Sequence, residues 1–293
     1  VSITNFTKDF HTAGICSLLA VIGLLITVIL YIKKVPGSIL IGILATWVIG
    51  MLCQITGIYV PDFKTGYYSL FPTFAMTDFS KLGETFGKCF QYDLGKVGIF
   101  NFIAVVLSFL FVDLFDTLGT LVGVSTKAGM LDEEGKLPGI KSALMADAVA
   151  TTAGAVLGTS TVTTFVESAS GVAEGGRTGL TSLVAAVLFG LSLLLSPIFL
   201  AIPSFATAPA LIVVGYLMLI SVTKIDFNDM TEAIPCFIAI IAMPFMYSIS
   251  EGISMGVISY VVINVITGKA KEKKISLLMY ILAVLFVLKY IFL

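Results

Sequence analysis

Nine stretches of this chain, at about 13–32, 37–58, 97–125, 139–158, 178–198, 205–221, 231–248, 250–267 and 275–292, are apolar over lengths near the ~20 residues that a bilayer-spanning helix needs. A tenth, 160–176, lies among them and is not apolar, which gives about ten membrane elements in all. With 58% hydrophobic and 12% charged residues, the chain is an all-α polytopic membrane protein.

The tenth stretch constrains the fold most closely. From Thr159 to Gly171 it reads Thr-Ser-Thr-Val-Thr-Thr-Phe-Val-Glu-Ser-Ala-Ser-Gly, mostly hydroxyls and small residues with one carboxylate. Hydrocarbon offers no hydrogen-bond partners, so such a run persists at membrane depth only inside protein or along a cavity. The β-branched part, Thr161 to Phe165, predicts a short mid-membrane β-strand. Glu167 to Glu174 predicts a half-helix after it, with its N-terminal N–H groups toward the interior, as at the binding sites of many transporters. A strand needs a pairing partner, and no second such stretch is present. The strand at 161–165 is therefore expected to pair with a segment N-terminal to Val1 or with another chain.

Basic residues orient the segments. With Lys33 and Lys34 in the cytoplasm, alternation also places Lys127, Lys136, Lys141, Arg177, Lys224 and the lysines at 269–274 inside. This requires the 160–176 element to reach the cytoplasmic face and 231–267 to form a hairpin broken near Tyr247–Gly252. Residues 59–96 become the long external segment, where Tyr67, Tyr68, Phe71 and Phe74 fit interfacial helices or a structured loop equally well. A net charge of -1 without a basic block leaves no signal for nucleic acid. Cys16, Cys53, Cys89 and Cys236 are scattered and have no metal-ligand spacing, so no metal and no cofactor are expected. The opening residues lack the basic n-region and cleavage site of a signal peptide and read as the interior of a longer protein.

Four carboxylates fall within predicted membrane elements: Asp113, Asp116, Asp147 and Glu167. Each costs several kcal/mol at the bilayer centre, so each is expected to face a cavity or a partner. Asp113 and Asp116, three residues apart, share a helix face, and neighbouring carboxylates that compete for a proton offer a physical route to proton coupling. Asp116 and Glu167 read as ligand contacts. Asp113 serves equally well as a helix-packing hydrogen-bond partner, and Asp147 as a hydrogen-bond partner of the broken element. Glu174 beside Arg177 reads as a surface pair, and Glu251 as an interfacial residue at the hairpin break.

Four motifs resemble the hypoxanthine/guanine/adenine permeases, the azaguanine-permease-like branch of the xanthine/uracil permease superfamily. They are Val112-Asp-Leu-Phe-Asp-Thr-Leu-Gly-Thr-Leu121, Lys136-Leu-Pro with Ala146-Asp147, Gly158-Thr-Ser-Thr-Val-Thr-Thr-Phe-Val-Glu-Ser-Ala-Ser-Gly-Val172, and Ala208-Pro-Ala-Leu-Ile-Val-Val-Gly215. The resemblance covers essentially the whole chain, and the two acidic motifs together carry it. It implies fourteen membrane elements in two inverted repeats of seven, divided into core and gate, with this chain as the C-terminal part lacking the first four or five. Residues 1–58 would be gate helices of the first repeat, 59–96 the external loop, 97–198 the core half of the second repeat and 199–293 its gate helices. The missing part would hold the strand that pairs with 161–165.

By motif position, the resemblance implies that Asp116 contacts the nucleobase and that Glu167 accepts from its ring N–H groups. Asp113 and Asp147 belong to the same acidic set, and all four are proton-coupling candidates. Thr120 stands where a uracil-transporting relative carries histidine, which moves proton carriage toward the carboxylates. Thr164 and Ser168 would add hydroxyl contacts, and Phe165 would stack on the base. The implied function is proton-coupled uptake of purine nucleobases by core-versus-gate alternating access in the plasma membrane, with the base, H⁺, the bilayer and a homodimer mate as partners. The chain alone is expected not to transport. The alternatives are a transporter of the same fold for uracil or xanthine and, far behind, an intramembrane aspartyl protease, which would need its acids on separate helices.

Overall fold

A computed structural model describes residues 6, 8–91 and 98–292. The predicted segments appear as helices: α1 (Ile15–Ile32, continuing a π-helical turn at Phe10–Gly14), α2 (Ser38–Ile55), α3 (Ile99–Ala128), α4 (Ile140–Leu157), the short α5 (Ser168–Ala173), α6 (Gly179–Leu194), α7 (Ser204–Leu219), α8 (Met230–Met246), α9 (Ile249–Ile266) and α10 (Leu277–Phe292). Among the described residues, six helical stretches are long and apolar enough to cross a membrane, and α6, α8 and α10 are shorter apolar helices. The chain is a mostly helical, multi-pass membrane protein.

The chain divides into two compact units. One comprises 1–86, 123–138 and 165–219; the other comprises 87–122, 139–164 and 220–293. In the first, α1, α2 and α7 pack together over a core of Ile15, Leu19, Trp47, Tyr59, Leu70, Phe205 and Ala206. Lipid gives helices no hydrophobic drive to associate, so close backbone approach through small residues takes its place. Gly42 on α2 leaves room for Thr27 of α1, and Gly23 on α1 leaves room for Thr46 of α2; a Cβ on either glycine would collide with that threonine. Each threonine hydroxyl turns back to its own helix, Thr27 to Gly23 O at 2.8 Å and Thr46 to Gly42 O at 2.7 Å, so the contact buries no unpaired hydroxyl.

The segment after α2, expected to be external, is pinned to this core. Trp47 Nε1 donates to Leu70 O (2.8 Å), Leu70 N donates to Gln54 Oε1 (2.8 Å), and Tyr59 OH donates to Tyr68 O (2.7 Å). The aromatics at 67–74 lie in this loop, whose Asp62–Tyr67 bridge is isolated. Short helical turns occur later, between Phe79 and Gln91. The remainder of the predicted external segment, 92–96, lies outside the described residues.

In the second unit, α8 and α9 form the expected hairpin. The chain turns at Tyr247, in the left-handed region at φ 50°, and Ser248 caps α9 by accepting from Glu251 N at 3.3 Å. Glu251, expected at an interface, is held by α10: Lys289 Nζ lies 2.6 Å from its Oε1, and Tyr290 OH also donates to it. At the other end of the hairpin, Asp229 caps α8 through Thr231 N (3.0 Å) and pairs with Lys273 at 2.5 Å, and Lys273 also reaches Glu232 at 2.6 Å.

Candidate functional site

The end of α4 sets up the site. Gly158 at φ 80° stops the helix, with Gly158 N bonded to Ala155 O and Thr159 N to Gly154 O, the pattern of a Schellman cap. The polar run then returns along α4, so that Thr159 faces Gly154, Val162 faces Thr151 and Thr164 faces Asp147. The approach at Gly154 is close: a Cβ there would stand 2.8 Å from both Thr159 and Val162.

Residues 161–165 are neither helix nor ladder-paired strand among the described residues. Side chains of α4 take over part of the backbone pairing that the sequence assigned to a second strand. Thr151 Oγ1 donates to Val162 O at 3.0 Å, and Asp147 Oδ1 accepts from Thr164 N at 3.1 Å and lies 3.5 Å from its hydroxyl. Asp147 and Thr151 are one helical turn apart, which presents both to the same strip of the run.

Helix α3 contributes the acidic pair. Thr117, 1% exposed, donates to Asp147 Oδ2 at 3.0 Å, so Asp147 joins α3, α4 and the run with both oxygens engaged. Asp113 Oδ1 accepts from Thr161 Oγ1 at 2.7 Å. Asp116 makes no hydrogen bond or ion pair among the described residues, and Thr120 is buried one turn further along α3. Asp113, Asp116, Thr120, Asp147 and Thr164 thus belong to one unit, and the structure brings Asp113, Asp147 and Thr164 into a single threonine-bonded network.

Phe165, Glu167 and Ser168 belong to the other unit. Turns from Ser168 N to Phe165 O and from Ala169 N to Val166 O start α5, and Ala169 is fully buried where α5 packs on α7. Arg177 reaches back to the end of α5, its guanidinium donating to Val172 O at 2.5 Å and, beyond the helix, to Gly176 O at 2.8 Å. Glu174 instead accepts from Gly37 N at 3.2 Å, so the expected Glu174–Arg177 pair is replaced by two separate contacts with backbone. A cavity of about 790 Å³ is lined by Phe165, Glu167, Ser168, Arg177, Phe189 and Met130 among others, within the size range of small-molecule sites. The Glu167 carboxylate has no partner among the described residues.

Reading the sequence alone misses Thr117 and Thr161 as partners of the acids and Thr151 as a partner of the run. Local spacing carries no signal for these pairs, because Thr117 reaches Asp147 and Thr161 reaches Asp113 across 30 and 48 residues of chain.

Apolar helices are here interrupted by a hydroxyl-rich break, with carboxylates on the helices around it. The sequence matches the model of the Permease family, the xanthine/uracil permeases, over residues 2–255, and the chain belongs to that family. A protein of Methanocaldococcus jannaschii is 47% identical over 277 residues, 94% of this chain and 59% of that protein. Guanine/hypoxanthine permease PbuO of Bacillus subtilis is 42% identical, covering 95% of this chain and 61% of its own length. Adenine permease AdeP of Escherichia coli is 38% identical over 292 residues, 100% of this chain and 60% of its own. The chain spans about three fifths of the length of these relatives.

Proposed function

We propose that this chain is the C-terminal part of a proton-coupled purine nucleobase uptake permease of the plasma membrane. It would belong to a protein of two inverted seven-element repeats that works by moving a core against a gate. In this reading 1–58 and 199–293 supply gate helices, 97–198 supplies half of the core, and the extended run 161–165 pairs with a strand outside this chain. The relatives named as guanine/hypoxanthine and adenine permeases support the substrate class.

One observation carries the assignment of roles. Of the four membrane carboxylates, Asp113 and Asp147 are occupied by threonine hydroxyls, whereas Asp116 and Glu167 have no hydrogen-bond partner among the described residues. An unengaged carboxylate in a membrane is costly unless something binds it. Asp116 and Glu167 therefore accept from the N–H edge of the base, Phe165 supplies a stacking surface, and Ser168, Thr164 and Thr120 add hydroxyls around it. Protonation of one of the acids accompanies uptake, and release inside returns the carboxylate.

The test is uptake of radiolabelled hypoxanthine in permease-deficient cells by the chain joined to the N-terminal helices of a full-length relative. Saturable uptake that guanine and adenine compete for, and that a protonophore abolishes, is expected. Uptake inhibited by uracil or xanthine but not by guanine or adenine, or indifferent to the protonophore, would contradict the reading.

A further inference from the structure

Two threonines link Asp113 to the backbone of the polar run. Thr161 Oγ1 lies 2.7 Å from Asp113 Oδ1 and 3.2 Å from Thr151 Oγ1, and Thr151 Oγ1 lies 3.0 Å from Val162 O. Each hydroxyl has one hydrogen to give and two lone pairs with which to receive. When Asp113 is ionised it only accepts, so Thr161 gives its hydrogen to the carboxylate. Thr151 gives its hydrogen to the Val162 carbonyl, and none remains for the contact between the two threonines. When Asp113 carries a proton on Oδ1, that O–H donates to Thr161, Thr161 turns its hydrogen to Thr151, and Thr151 keeps its bond to Val162. The same heavy-atom positions serve both states. Two bonds, one of them charge-assisted, are exchanged for three neutral ones.

We propose that Thr161 and Thr151 are positioning residues for a coupling proton on Asp113, forming a two-hydroxyl chain in which the Thr161 hydrogen turns from Asp113 to Thr151 when that proton arrives. The proposal rests on reading Asp113 as one of the proton-coupling acids. Asp116 is on the same helix, and Asp147 on α4 is occupied by Thr117 and Thr164. Helix α10, which meets α3 through the Phe286–Phe111 ring contact, carries Lys289, and that lysine is tied to Glu251. No cation pairs with Asp113 among the described residues.

The two hydroxyls favour opposite states, which gives the test its sign. Thr161→Val removes the donor to the ionised carboxylate, and Thr151→Val removes the acceptor that completes the chain when Asp113 is protonated. The experiment is infrared titration of the purified 293-residue chain in lipid, following the carboxylic-acid band that Asp113→Asn removes. Thr161→Val is expected to raise the pH at which this band is half lost by about one unit, and Thr151→Val to lower it by a smaller amount. Thr161→Ser and Thr151→Ser, which retain the hydroxyl, should stay at the parental midpoint. A shift in the same direction for both valine variants, no shift in either, or serine variants that behave like valine would overturn the proposal. So would a spectrum in which Asp113→Asn removes no titrating band. None of these results depends on uptake, so the purine reading is judged separately by its own assay.

Discussion

Asp147 shows how a single side chain can hold an irregular segment in a membrane. Its two oxygens receive a buried threonine hydroxyl from α3 and a backbone N–H from the polar run, so a charge that would be costly to insert becomes the junction of three segments. Thr117 is the more telling partner to remove, because it is buried and valine has nearly its shape. Thr117→Val is expected to lower the stability of the detergent-solubilised chain by about 2 kcal/mol, since one carboxylate oxygen loses its donor. Thr117→Ser keeps the donor and loses one methyl, about 0.8 kcal/mol. Denaturant unfolding of the two variants beside the parent separates the terms, and equal losses would show that packing rather than the hydrogen bond matters at this position. The presence of Asp113, Asp116, Asp147 and Glu167 was readable from the sequence, because carboxylates in apolar segments stand out. Which of them would be occupied was not, since that depends on Thr117 and Thr161 reaching them across segments 30 and 48 residues away in the chain.

At the scale of elements, apolar length predicted nearly every helix, and glycine or polar residues marked the ends, as at Gly158 and at the Tyr247–Ser248 break. The helical turns at 79–91 were not legible, because they lack a periodic apolar face and follow an aromatic loop fixed by Trp47, Gln54 and Tyr59. The α8–α9 hairpin is closed at its open end by the Asp229–Lys273–Glu232 cluster, which gives it a pH dependence of calculable sign. Hydrogen bonds from Lys273 and Thr231 hold the Asp229 carboxyl well below the ordinary carboxylate range. Asp229 and Glu232 hold the Lys273 ammonium above the ordinary lysine value. The carboxylate contribution is complete above an unfolded value of about 3.9 and is lost as pH falls through the depressed folded one; the lysine contribution is complete below about 10.4 and fades as pH rises through the elevated one. Melting temperature should therefore be flat across neutral pH and fall at both extremes, and Asp229→Asn should flatten the acid limb. An acid limb unchanged in Asp229→Asn would place that pH dependence elsewhere.

For the whole molecule, the resemblance read from four motifs and the family match agree, and the chain spans about three fifths of the relatives it matches. The demand for a strand partner followed from backbone chemistry alone. The structure answers part of it from within, through Asp147 and Thr151, because a helix that lies alongside an extended run can offer side-chain acceptors and donors where a strand would offer backbone. Sequence pattern could not show this, since it needs the run to fold back along α4 with Thr164 beside Asp147. The central claim is that Asp116 and Glu167 hold the base while Asp113 and Asp147 are held by the protein. Equilibrium binding of hypoxanthine to the chain completed with a relative's N-terminal helices tests it most directly. Asp116→Asn and Glu167→Gln should each weaken binding by about thirty-fold, the equivalent of roughly 2 kcal/mol for a charge-assisted hydrogen bond, while Asp229→Asn binds as the parent does. Parental affinity in both Asp116→Asn and Glu167→Gln would contradict the account.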